Sequence, residues 1–159
     1  MKRLFLAVVF LLVFFGIGNR TYAHCEIPCG IYGDEMRFSM IEEHIQTIEK
    51  SIKMIAELSQ AGEINYNQIV RWVMNKEKHA DEIQEIVSQY FLTQRIKPVE
   101  DVKSAEYTAY LGKVSLLHEM LVTAMKTKQS LETFNTDKLK ELTDKFRKAY
   151  FGPEQHEHK

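Results

Sequence analysis

Apolar residues along the chain fall into four helical stripes. Ile41, Ile45, Ile48, Ile52 and Ile55 recur at alternating steps of four and three, which aligns them on one face of a helix running from Glu35 to about Gln60. Asp34 is placed to cap its first turn, and Ala61-Gly62 to stop it. A second helix is expected from about Asn65 to Thr93, with Ile69, Trp72, Val73, Ala80, Ile83, Val87 and Tyr90 on its buried face. A third is expected from about Val99, just after Lys97-Pro98, to Gln129. Its stripe is Val102, Tyr110, Val114, Leu117, Leu121 and Met125. Asn135 or Thr136 caps a shorter fourth helix carrying Leu139, Leu142, Phe146 and Tyr150, and Gly152-Pro153 closes it. Four amphipathic helices on short links predict an all-α fold, an up-down-up-down four-helix bundle over residues 34–153. The polar tail 154–159 is expected to be disordered.

The pattern at the start of the chain differs. Lys2 and Arg3 precede an unbroken apolar run from Leu4 to Phe15, which Asn19 and Arg20 end. Thr21-Tyr22-Ala23 then supplies small residues before a cut. This is the layout of a cleavable signal peptide over residues 1–23. The run falls short of the ~20 apolar residues that span a bilayer, so no stable membrane insertion is expected after cleavage. The expected destination is outside the cytoplasm, periplasmic or extracellular.

Composition narrows the function classes. Of 159 residues, 27% are charged and the formal net charge is −1, so there is no basic footprint for nucleic acid. Loss of residues 1–23 removes three cations and makes the remaining chain more acidic. With only three prolines and seven glycines, helices are favoured over a β-sandwich.

The chemistry is concentrated in residues 24–33. Both cysteines, Cys25 and Cys29, lie there, and Pro28, Gly30 and Gly33 leave no room for a helix or strand. In an exported chain the two cysteines can form a small-loop disulfide or bind a metal as thiolates, and composition does not separate the two. Cleavage after Ala23 would give His24 a free α-amine. That amine, the Cys25 amide nitrogen and the Cys25 sulfur can close two adjacent five-membered chelate rings, and Cys29 adds a second thiolate. A planar set of two nitrogens and two sulfurs suits Ni(II) or Cu(II) better than zinc. The His24 imidazole remains as an axial ligand. Anionic thiolates and a deprotonated amide bring a higher oxidation state, such as Ni(III), within reach.

His24-Cys25-x-x-Pro28-Cys29-Gly30-x-Tyr32 resembles the nickel hook of nickel-containing superoxide dismutases at all six defined positions. The resemblance implies one nickel ion per subunit, bound by His24, Cys25 and Cys29. It implies Ni(II)/Ni(III) cycling that turns two superoxide ions into dioxygen and hydrogen peroxide, with Tyr32 gating the substrate pocket. It also implies a four-helix bundle assembled as a homohexamer. Ser88-Gln89-Tyr90-Phe91 is similar to the end of the family's second helix, where a second tyrosine, here Tyr90, approaches the pocket. The family orients the hook imidazole with a carboxylate and an arginine. Ser39 falls near the expected glutamate, and Arg37, Glu42 and Glu43 are the other candidates, none of them a clean match. An exported nickel or copper carrier using the same hook without turnover is the alternative. His44, His79 and His118 lie within helices and form no Glu-x-x-His pair, so a ferritin-type di-iron centre lacks its signature.

Overall fold

A computed structural model describes residues 33–152. The leader (1–23), the hook residues His24, Cys25, Cys29 and Tyr32, and the tail lie outside the described residues. Within them the chain forms four α-helices and no strand: α1 (Asp34–Ser59), α2 (Tyr66–Glu85), α3 (Ala105–Gln129) and α4 (Phe134–Phe151). α2 runs on into a π-helical segment, Ile86–Arg95. Each helix packs on its neighbour in sequence, and α1 also packs on α4, closing a four-membered ring of alternating direction.

The isoleucine stripe of α1 is buried along its whole length and begins one turn earlier, at Phe38. Opposite it lie Ala80, Ile83, Val87 and Phe91, with Leu117, Met120 and Ala124 from α3 and Leu139, Leu142 and Phe146 from α4. Such side chains contribute about 1.5–3 kcal/mol each when withdrawn from water. Aromatic rings gather where α1 begins. Phe38 lies 5.0 Å from Phe91, 5.5 Å from Phe146 and 6.0 Å from Tyr150, centroid to centroid.

Several local expectations are corrected. Asp34 is not the cap of α1 but its first residue; Gly33 holds the cap position, with φ 77°, and no side chain caps the turn. α2 starts as expected, the Asn65 side chain accepting from the Gln68 amide at 3.1 Å. Its early face is only partly covered, however: Ile69 and Trp72 are half-buried and Val73 is exposed. α3 starts at Ala105, six residues later than expected from Val99, because Ser104 provides the cap and accepts from the Tyr107 amide at 3.0 Å. Val102 therefore lies outside the helix and is 63% exposed. Met125 is exposed as well, since the covered row runs Leu117, Met120, Ala124, Thr127, one position off. At α4 neither Asn135 nor Thr136 caps. Thr133 is at the cap position, and both polar residues are buried in the first turn. There the Thr136 hydroxyl donates to the Thr133 carbonyl at 2.7 Å.

Polar bridges also tie α2 to its neighbours, among them a lysine and a histidine pair. The buried Lys76 ammonium donates to the carbonyls of Lys128 at 2.7 Å and Ser130 at 3.1 Å, closing the end of α3. His44 on α1 and His79 on α2 face each other with their Nδ1 atoms 2.8 Å apart.

Among the described residues no helix is long and apolar enough to cross a membrane.

Candidate functional site

The end of the bundle where α1 begins carries a polar cluster centred on Asp34. Asp34, two residues beyond Tyr32, binds three partners from two other elements. The Tyr90 hydroxyl donates to its Oδ1 in a short hydrogen bond, and the Tyr150 hydroxyl donates to its Oδ2 at 2.8 Å. Arg95 Nε lies 3.0 Å from Oδ1 as an ion pair, while Arg95 Nη2 donates to the Tyr90 oxygen at 2.9 Å. Two guanidinium groups stand against the Tyr90 ring, Arg37 at 4.8 Å and Arg95 at 4.7 Å from its centroid.

The π-helical segment makes this cluster possible. Tyr90 and Arg95 are five residues apart, which on an α-helix would turn them about 140° from each other. In π turns, bonds run between residues i and i+5, so the fifth residue comes back over the first. The Ile96 amide donates to the Phe91 carbonyl at 2.9 Å in this way, and the Thr93 hydroxyl follows the same spacing, donating to the Ser88 carbonyl at 2.8 Å. The α-helix expected up to Thr93 is thus replaced from Ile86 onward, and the replacement brings Arg95 onto the Tyr90 hydroxyl.

Electrostatics fix the protonation of the cluster. Burial raises the Asp34 carboxyl, but hydrogen bonds from Tyr90 and Tyr150 and the charge of Arg95 outweigh it, and the group lies below its ordinary value of 3.8. Burial pushes the Tyr90 hydroxyl up, and its bond to the Asp34 carboxylate raises it further. Tyr150 is raised for the same two reasons. At neutral pH the cluster is therefore one carboxylate accepting hydrogen bonds from two protonated phenols. Arg95 and Tyr150 also line a surface cleft of about 340 Å³ whose charged rim holds Lys97, Lys113 and Glu106.

Of the sequence-derived site residues, only Tyr90 lies among those described. It is buried, and its hydroxyl is fully engaged. The candidates for orienting the hook imidazole diverge. Arg37 stacks on Tyr90, whereas Glu42 pairs with Arg147 at 2.7 Å on the α1–α4 seam. Glu43 and Ser39 are exposed. Asp34, Arg95 and Tyr150 were not singled out for this cluster. Only Asp34 carried a signal, its place directly after the motif. Arg95 looks remote from Tyr90 on α-helical spacing, and Tyr150 is 116 positions from Asp34.

Among the described residues no three His, Cys, Asp or Glu side chains stand close enough to hold a metal. The only two cysteines of the chain are Cys25 and Cys29. Fold and sequence together define an all-α bundle whose two cysteines both precede its first helix. A family model described as nickel-containing superoxide dismutase matches residues 19–153, and the chain belongs to that family. It is accordingly an oxidoreductase that dismutes superoxide with a nickel cofactor. The match spans both the 24–32 motif and the whole bundle. No curated protein and no solved structure matches the chain.

Proposed function

We propose that the nickel of this superoxide dismutase is bound by the His24 amine and imidazole, the Cys25 amide and thiolate, and the Cys29 thiolate. The carrying observation is that the chain's only two cysteines fall inside the matched span at hook spacing. Two thiolates with nitrogen donors would suit nickel. When bound, nickel supplies one-electron exchange between Ni(II) and Ni(III). The chain's own residues bind and position. Tyr32 gates the approach of the superoxide anion. Tyr90 forms a buried wall of the site, and because its proton is committed to the Asp34 carboxylate it acts by place and not by giving that proton.

The same reading takes residues 1–23 as a leader cut after Ala23, so that export creates the donor amine and the enzyme works in the periplasm or outside the cell. It also takes the protein as a homohexamer. Apolar side chains left in water at the far end of the bundle support an assembled state: Tyr66 is 72% exposed, Met74 65% and Phe134 69%.

Mass spectrometry of the mature N-terminus tests the reading, with nickel content, dismutase activity and sedimentation measured on the same sample. A chain beginning at His24, loaded with one nickel per subunit and sedimenting as a hexamer, is expected. A mature chain with any other first residue would overturn the amine donor.

A further inference from the structure

We infer that Asp34 is a positioning residue for the nickel site: its one carboxylate ties the first turn after the hook to the π-helical segment and to the end of α4. It thereby fixes where the hook begins. The inference rests on the reading of residues 24–32 as the nickel site and adds a residue that the motif does not contain.

The carboxylate is used in an unusual way for its position. An acidic residue at the start of a helix ordinarily caps free backbone amides, worth about 1 kcal/mol. Here the turn has no side-chain cap at all. Both Asp34 oxygens turn instead toward Tyr90, Tyr150 and Arg95, which come from chain segments 56, 116 and 61 positions away. Gly33, between Asp34 and Tyr32, has φ 77° and ψ 155°, a backbone state that favours glycine and defines the direction in which the preceding chain leaves. The fixed point and the fixed direction lie within five positions of Cys29 and two of Tyr32. Asp34 also sets the hydroxyl of Tyr90, since the proton it accepts determines which way that O–H turns.

A purely structural tie would have the same contacts, so stability alone does not test the idea. The full chain, matured and supplied with nickel, is compared as wild type, Asp34→Asn, Asp34→Ala and Tyr150→Phe, well below the melting temperature of each. Amide exchange over the first turn of α1 should quicken in the metal-free Asp34→Ala chain. Once loaded with nickel, that variant should show a changed Ni(III) electron paramagnetic resonance spectrum. Its kcat per bound nickel should fall roughly 10- to 100-fold, the range seen when the partners that orient metal ligands are removed. Asp34→Asn keeps the shape and can still accept one hydrogen bond, so it should recover part of the spectrum and the rate. Should Asp34→Ala fail to fold, Asp34→Asn and Tyr150→Phe carry the comparison, each with a smaller change of the same sign. A lowered melting temperature with an unchanged spectrum and unchanged kcat per nickel would reduce Asp34 to a structural tie and overturn the inference alone. A wild-type chain that binds no nickel would overturn the hook reading and this inference with it.

Discussion

The two ends of the bundle are built differently. At the end where α1 begins, Phe38, Phe91, Phe146 and Tyr150 pack ring against ring, and Asp34 joins three elements with every oxygen occupied. At the other end Tyr66, Val70, Met74, Leu131 and Phe134 face outward, and the closure of α3 depends on one buried ammonium, that of Lys76. A bundle of uniform composition would gain nothing from this asymmetry. The reinforced end is the one that residues 24–32 precede in the chain, so on the proposed reading the tied first turn directly follows the nickel donors.

Substitutions at the two ends should separate sharply. The largest effect is on the metal segment itself: Cys29→Ser should lose the Ni(III) resonance and all dismutase activity while the helical circular dichroism of the bundle stays. Retained activity would remove the thiolate from the catalyst. Next, Phe38→Ala should cost about 3–5 kcal/mol in denaturant unfolding, since it empties the centre of the aromatic group. Phe134→Ala, at the open end, should cost no more than about 0.5 kcal/mol in the isolated subunit. Equal losses would erase the contrast drawn above.

The smallest expected effect is on acidification. Burial, then the facing His79, lowers the His44 imidazole below its ordinary 6.5, while Glu82 and Glu43 act in the opposite direction and Lys78 in the same. The unfolded chain therefore takes up a proton near 6.5 that the folded His44 refuses, and stability falls as pH drops below that value. Asp34 behaves otherwise. Its carboxyl is held below 3.8, so its contribution is complete above that pH and disappears only as pH falls through the lower folded value. Melting temperatures from about pH 7.5 to about 5.5 should decline modestly in the wild type and less in His44→Gln. A flat wild-type profile would show that the α1–α2 contact is insensitive to this proton.

Periodicity revealed most of the fold because covered positions on a regular helix repeat. The stripes of α1 and α4 are buried as read, with Tyr150 half-covered. It was least reliable where local chemistry competes with period. Ser104 ends the link before α3 and leaves Val102 outside, and the shift from Leu121–Met125 to Met120–Ala124 is a single position on a helix with apolar residues nearly all round. The proposed metal donors could be picked out because His24, Cys25 and Cys29 lie within six residues of one another, although they fall outside the described residues. The Asp34 cluster was not, because it is assembled from three distant segments, one of them in π turns that spacing rules for α-helices do not describe. The His44–His79 contact escaped for the same reason of distance, at 35 positions apart.

The π-helical segment also amounts to spare length. A π turn holds one residue more than an α turn. Deleting one residue between Ile86 and Tyr90 would let the stretch relax into α-helix with its ends still connected, so the bundle would survive. The cost would fall elsewhere: Arg95 would swing away from Tyr90, and the Asp34 carboxylate would lose its cation. A shortened homologue of this kind would fold as a bundle and need another cation in that place.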